Sequence, residues 1–439
     1  MSWFHLFKEQ QESNIHKFGR GVNTQLNPEE EALFLASSKA FDEGDILSAY
    51  ENFLRSLINY TKFKSNKNIT LQRQDDALHF TLYQGIAIVK GVITTQSFQA
   101  SSLIIDAKKL HVAIKRRLIE RNYQLTYAHF YQHDDAISIK VYLDNTTMTP
   151  QKIFFPLREI ALNADYEKEY LISEFNTINI LEKDHIQALK TKEAEVKYQY
   201  TKLWIDEMQQ SIKRLPSNDS TGMVNFTYLN LLFAIDYLIL PRQKLGQELM
   251  QKITEYFNTD DERLQENRNA ELQTYCDKLN AISFEEFAPQ LYNTINTFTP
   301  MERASHEEIV PFIEDAINKI RWYKHNRYTS IIPTIYTYIA FHLQYNYGLH
   351  PSLHAILHVF IEVNYGNFFK ALGYAPLYDK ETQRFDKRRI MKRINEAIEP
   401  YQDKFHALES FSSELNFDSL EEFSHTFYLH LKHLNYTEV

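Results

Sequence analysis

The chain has a single cysteine, Cys276, in 439 residues. One thiol excludes a disulfide framework and every zinc site built on two or more thiolates, and it fits a reducing compartment. Within the helical stretch Glu271 to Leu279 it reads as a small core residue rather than a nucleophile. Glycine is scarce too: ten residues, well below the roughly 7 % of an average protein. Gly19 and Gly21 are followed by Thr24 rather than a third glycine, and no G-x-x-x-x-G-K-[ST] occurs. Backbone cradles for dinucleotides and triphosphates are therefore not expected. Neither a G-x-S-x-G elbow nor H-E-x-x-H occurs. Positive charge is in deficit, with 48 Lys+Arg against 57 Asp+Glu and a net charge of −9. That balance argues against wholesale coating of nucleic acid. Long apolar runs are missing as well. The most apolar stretch, Met223 to Leu240, is interrupted by Asn225, Asn230 and Asp236 and stopped by Pro241, so a buried core helix is expected rather than a membrane span. The aromatic-rich start, Ser2 to Lys8, lacks the pattern of a signal peptide and is expected to dock on the chain's own body. A soluble, cytoplasmic protein is the expectation.

What the chain does have is 30 Phe and 28 Tyr, the bulky side chains with which a glycine-poor helical core fills its volume. The expected fold is mixed and mainly α, with an N-terminal α+β domain and a large all-α domain of helical hairpins. The divisions fall at 1–26 (an arm), 27–66 (a helical hairpin), 67–182 (α+β), 183–220 (a long connecting helix) and 221–439 (all-α).

Asn27-Pro28-Glu29-Glu30 is a helix start. Helices over 28–42 and 45–62 follow, turning at Gly44-Asp45. Leu33, Ala36, Ser37 and Ala40 on the first and Ala49, Phe53 and Ser56 on the second let two helices approach closely. This pair resembles one tetratricopeptide repeat, although Tyr60-Thr61-Lys62 stands where that family usually has proline, and no second copy follows. Beyond it, alternation predicts strands over Leu78–Gln84 and Ile86–Thr95, a helix over Ser97–Asn122, a hairpin of Leu125–Gln132 with Ala136–Leu143, and a helix from Thr149-Pro150. The order is ββ–α–ββ–α, an antiparallel sheet with helices on one face. Arg121-Asn122, the hairpin into Ile137 to Leu143, and Ala161 to Tyr166 carry a resemblance to YbjN-like and type III secretion chaperone-like α+β domains. The resemblance implies a domain that dimerises or binds an extended partner segment. Helices are expected near 223–240, 242–258, 261–282, 284–297, 305–324, 328–347, 351–371, 387–398, 401–414 and 418–435. A single helix over about 183–215 precedes them, bridging to the α+β domain or making a short coiled-coil contact.

Two constellations could carry chemistry. His350, His354, His358 and Glu362 recur every four residues, near one helical face, where imidazole pairs bind metal if a second element completes the set; the other reading is a solvated polar stripe. His425, His430 and His433 scatter over a broader face and read as surface. Cations cluster at Lys108 to Arg121, at Arg384 to Arg393 and at Arg321-Trp322-Tyr323-Lys324-His325-Asn326-Arg327-Tyr328. Cations interleaved with aromatics suit single-stranded nucleic acid if they share a groove, and solvated helix faces otherwise. The reading is a non-catalytic adaptor, scaffold or chaperone-like protein of a bacterial-type cytoplasm. No cofactor is expected, a protein partner and a homodimer through the α+β domain are, and nucleic acid is not. The partner-binding candidates are Arg321, Trp322, Tyr323, Lys324, Arg327 and Tyr328. The alternatives are a helical metal enzyme on the His350/His354/His358 face and a single-stranded nucleic-acid binder.

Overall fold

A computed structural model describes residues 17–19, 26–58, 68–108, 110–175, 178–216, 221–258, 265–405 and 408–436. The fold is mixed and mainly α. Helices α1 (Pro28–Asp42) and α2 (Ile46–Ser56) form an antiparallel pair. Asn27 caps the first: its side chain accepts from the Glu30 amide at 2.9 Å, and the Glu30 carboxylate accepts from the Asn27 amide at 2.9 Å.

Six strands then build one antiparallel sheet in the order β1-β2-β3-β4-β6-β5. They are β1 (Ile69–Gln74), β2 (Ala77–Gln84), β3 (Ala87–Ile93), β4 (Ser97–Asp106), β5 (His129–His133) and β6 (Ala136–Asp144). Between β4 and β5 lies α3 (Val112–Asn122), and α4 (Pro150–Glu174) follows β6. The order is thus ββββ–α–ββ–α, which corrects the expected helix over 97–122 and adds β1. Leu103, Ala107 and Leu110 do recur at helical spacing, but they fall across a strand and the turn after it. Period 2 governs there instead: Phe98, Ala100, Ser102 and Ile104 are buried while Gln99 and Leu103 are exposed.

The hairpin is not a separate body. Tyr50, Phe53 and Leu54 join Phe98, Val89, Ile139 and Leu157 in one core, where Tyr50 stacks on Phe98 at 5.7 Å. Similarly, the connecting helix, shortened to α5 (Thr191–Lys213), puts Val196, Trp204, Ile205 and Met208 into the C-terminal core. It packs rather than bridges.

The C-terminal core gathers α6 (Thr221–Ala234), α7 (Gln243–Phe257), α8 (Gln265–Ala281), α9 (Phe284–Phe287), α10 (His306–His325), α11 (Ile332–Asn346), α12 (Pro351–Asn364), α13 (Gly366–Ala371), α14 (Lys387–Ile398) and α15 (Leu420–Leu431). The run from Thr221 continues as a π-turn over Ile235–Ile239. Those 19 residues are apolar and long enough to cross a membrane by composition, yet 67 % of the apolar window is buried inside the protein, so its apolar surface is spent on the core. Helix 351–371 breaks at Tyr365. Segment 401–414 holds only 3₁₀ turns at Glu399–Tyr401 and Ser412–Glu414 among its described residues.

The largest departure lies at 284–297. The expected helix stops at Phe287, and after a 3₁₀ turn the chain runs extended across the N-terminal sheet domain. Gln84, at the end of β2, clamps it: Oε1 accepts from the Thr297 amide at 3.0 Å and the Phe298 amide at 2.8 Å, and Nε2 donates to the Phe298 carbonyl at 3.2 Å. Phe298 inserts its ring into the N-terminal core, edge-on to Phe154. Arg158 donates to the Thr299 and Pro300 carbonyls at 3.2 and 2.9 Å. Next to the clamp, Gly85 sits at φ +56° with Asp165 against it; a Cβ there would lie 1.9 Å from a carboxylate oxygen. Only glycine fits.

The Asp165 carboxyl is enclosed although the residue keeps some exposed surface, and it accepts from the Ile86 amide at 2.8 Å. Burial, seconded by Glu169, pushes its pKa up to about 7 against the opposing Ile86 amide.

Replacing Gln84 by Leu orphans three buried backbone groups at roughly 1–3 kcal/mol each, so the urea midpoint should drop as though about 3 kcal/mol or more were lost; a midpoint at the wild-type value would show that Gln84 does not hold the segment. Asp165 supplies a pH test. With its folded pKa raised, its contribution is complete below about pH 4 and is lost as pH rises through about 7. Asp165→Asn keeps the acceptor, so the stability of the variant relative to wild type should climb between pH 4 and 7 and level off above, in urea titrations at stepped pH.

Candidate functional site

The histidine face does not assemble. His350 caps α12, its Nδ1 accepting from the Ser352 amide at 3.2 Å, with its ring stacked on Tyr436 at 4.2 Å. His358, two turns further, belongs to a different cluster. Its Nδ1 shares a hydrogen bond of 2.8 Å with the Tyr237 hydroxyl, and its Nε2 lies 2.9 Å from Glu362 Oε1. Glu362 Oε2 in turn takes the Arg393 guanidinium at 2.5 Å. Burial would raise the Glu362 carboxyl, but the bonds from His358 and Arg393 outweigh it and hold it down to about 2. The His354 ring stands 6.2 Å from that of Tyr237. No group of three or more His, Cys, Asp or Glu comes together as a metal site among the described residues. Of the four expected ligands, His350 is therefore a helix cap, His358 and Glu362 belong to a buried Tyr237–His358–Glu362–Arg393 chain, and His354 stands beside the Tyr237 ring. Tyr237 reaches it from the π-turn, a local widening of the helix that spacing alone does not show.

The aromatic–cation segment at the end of α10 is likewise divided. Tyr323 is a core residue, edge-on to Phe226 at 6.4 Å, whereas Trp322 is 55 % exposed. Lys324 is paired with Glu421 at 2.9 Å and Arg321 donates to Asn318 at 3.3 Å. Arg327 and Tyr328 form the turn that ends the helix, with Arg327 at φ +63°. The other basic stretches are also engaged. Arg117 grips the buried Glu167 carboxylate with two bonds at 2.8 and 3.0 Å, and Arg121 Nε lies 2.8 Å from the same group. Arg389 meets Asp386 at 3.5 Å, and Arg393 is held by Glu362. Cations that sequence spacing gathers are, in three dimensions, mostly balanced by acids.

The surface that stands out instead is the sheet. The face bearing Phe80, Val89, Ala100 and Ile139 is covered by α4 and the α1–α2 pair; the opposite face is open. Register places His79, Val92, Gln99 and Tyr142 in one row across β2, β3, β4 and β6. Thr81, Lys90, Ser101, Lys140 and His129 form the next row, extending to β5. Val92, Leu103 and Tyr142 are 39 %, 37 % and 59 % exposed. Lys140 lies 4.5 Å over the Tyr131 ring, and Lys90 reaches Glu182 at 2.5 Å. Burial, followed by the charge of Lys140, lowers the His129 pKa below its ordinary value. An array of aliphatic, aromatic and cationic side chains of this kind offers contact to an extended chain rather than a reaction centre. The sequence marks β2, β3, β5 and β6 as strands but not β4, and the partner rows depend on register, which the turns set.

The chain matches no family model and no curated protein, so the geometry stands alone.

Removing the cation that neutralises Glu362 should be costly. Arg393→Met leaves a buried carboxylate with His358 alone, and the expected loss is about 3 kcal/mol, the low end for an uncompensated buried charge because Arg393 is itself one-third exposed. Chemical denaturation of the pair Arg393→Met and Arg393→Met/Glu362→Gln checks it: the second change should restore part of the loss.

Proposed function

We propose that the protein is a non-catalytic binder that takes an extended, acidic segment of a protein partner across the open face of its sheet. The observation that carries this reading is the bare face itself. Exposed Val92, Leu103 and Tyr142 stand beside Lys90 and Lys140 on a sheet whose other face is packed. Apolar side chains gathered on one solvent-facing surface mark contact sites more often than scattered ones do. Lys140, with Lys90 already paired to Glu182, favours an acidic occupant over a second copy, which would set like charges against one another. The resemblance to type III secretion chaperone-like and YbjN-like domains points the same way, since those imply capture of an extended segment or dimerisation. The hairpin's likeness to a tetratricopeptide repeat also suits an adaptor or scaffold. A reducing, cytoplasmic setting agrees with a lone, buried Cys276 thiol, which burial pushes up to about 12.

A fluorescent peptide of alternating Glu and Val should bind the full chain, and its Lys–Val counterpart should not. Lys140→Glu or Tyr142→Ser should weaken the Glu–Val peptide about tenfold, the scale of one lost charge-assisted contact, with melting temperature unchanged. Failure of the acidic peptide to bind overturns the reading, as does sedimentation of the free chain as a dimer that Tyr142→Ser dissociates, which would assign the face to self-association.

A further inference from the structure

Tyr123 and Val112 are the two most exposed large hydrophobic side chains among the described residues, at 88 % and 82 %, and Ile119 is 60 % exposed. All three belong to one short element: α3 runs from Val112 to Asn122, and Tyr123 continues it with helical backbone angles. At 100° per residue Val112, Ile119 and Tyr123, with Arg116 between them, fall within about 60° of arc. Ile114 and Leu118, on the opposite side, enter the N-terminal core. Apolar residues exposed singly need no explanation, but a row of three on one helix does.

The charges along this row are of both signs and face outward. Arg116 and Glu120 are both exposed and meet at 3.3 Å on their own helix. Their neighbours do not compete for them, because Arg117 and Arg121 turn inward to the buried Glu167 carboxylate. An anionic membrane calls for cations without a matching acid, and an acidic segment would meet Glu120. A matched pair on the surface suits a partner that presents the same pair in reverse order.

The spacing supplies that order. Val112, Arg116, Ile119 and Tyr123 follow one another by four, three and four residues, the seam spacing of paired helices. A two-fold axis between Arg117 and Leu118 lays a second α3 antiparallel on the first, with Val112 opposite Tyr123 and Arg116 opposite Ile119 in both halves. Glu120 of each copy then stands one residue from the level of Arg116 of the other, on the same flank and in reach of an ion pair between copies. The Arg116 stem covers Ile119. Lys115, on the other flank, faces its own counterpart five residues away, about 7.5 Å along the axis and in water. A contact of this kind is isologous, so each interaction occurs twice.

From this geometry we infer that the outer face of α3 is a homodimer contact, an antiparallel pairing with α3 of a second copy of the chain. The row and its flanks amount to on the order of 1,000 Å² over both copies, the low end for specific association, so the dimer is a micromolar one. Ile114 and Leu118 hold α3 to the covered side of the sheet. The open face therefore stays free in each copy, and the inference stands apart from the reading proposed for it.

The test is sedimentation velocity of the full chain across the micromolar range. Wild type should pass from monomer to dimer as its concentration rises. Ile119→Glu should raise the dissociation constant about a hundredfold, since it removes two apolar side chains from the dimer and sets two carboxylates in their place. The melting temperature of the dilute chain should not change, because the position is exposed. Arg116→Glu and Glu120→Arg, each creating two like-charge contacts per dimer, should weaken self-association about tenfold. Mixed together, these two variants should form a heterodimer, because each supplies the charge that the other lacks; an ion pair confined to one helix would not be mended by mixing. Tyr142→Ser, on the open face, should leave the dimer intact. A chain that stays monomeric throughout, including one that sediments with phosphatidylserine vesicles instead, would overturn the inference. So would a dimer indifferent to Ile119→Glu, a dimer dissociated by Tyr142→Ser, or the absence of a heterodimer from the two charge variants.

Discussion

The two halves of this protein are one body because a short extended segment of the C-terminal half completes the core of the N-terminal half. Phe298 is the plug and Gln84 the clamp. A glutamine side chain has one carbonyl and two N–H groups, and Gln84 directs the carbonyl to two successive amides and an N–H to the carbonyl between them and the next turn of chain. Within a buried site those groups have no water to turn to, so the segment is held in one register. The neighbouring turn can approach only because Gly85 has no Cβ, and Asp165 occupies that space. The clamp, the glycine and the acid depend on one another.

Around this crossing the protein concentrates buried charge. Lys168 is fully buried and donates to the Leu181 carbonyl at 2.9 Å; Glu169 accepts from the Tyr292 hydroxyl at 2.5 Å and the Gln243 amide at 2.8 Å. Such groups add little net stability compared with apolar packing, but they penalise every arrangement in which they are left unpaired. Their effect here is on specificity: helix α4, the start of α7 and the crossing segment can dock in one way only.

Much of this was legible in the sequence, and the failures have physical causes. Mainly-α character followed from few glycines and many aromatics. The N-terminal hairpin followed from Asn27-Pro28 and Gly44-Asp45, and most helix limits from proline and capping residues. The helix expected over 97–122 failed because Leu103, Ala107 and Leu110 satisfy a period of three to four by accident, whereas Phe98, Ala100, Ser102 and Ile104 show the strand. The segment after Phe287 was misread because its residues are chosen for contacts more than 200 positions away in sequence, with Gln84 and Tyr83. The histidines mark a limit of spacing as a guide. Equal spacing put His350 and His358 near one face, but a 40° drift per step and two different sets of neighbours give one a helix cap and the other a buried ion-pair chain.

Those histidines also show what an aromatic-rich, glycine-poor core does with imidazoles. His342 stacks on Phe312 at 4.2 Å with burial holding its pKa down to about 3, so it serves as a neutral ring. His358 spends both nitrogens on Tyr237 and Glu362. His350 spends one nitrogen on the cap of α12 and packs its ring among Tyr436, Tyr401 and Phe405. The crossing segment leads there directly: five residues after Phe298 fills the N-terminal core, Arg303 pairs with the backbone at Gly348 beside His350. Coupling between two sites needs an element with two arrangements. This segment is fixed at Gln84 on one side and at Gly348 on the other, so its effect is to tie the two halves together in one register rather than to carry a signal between them.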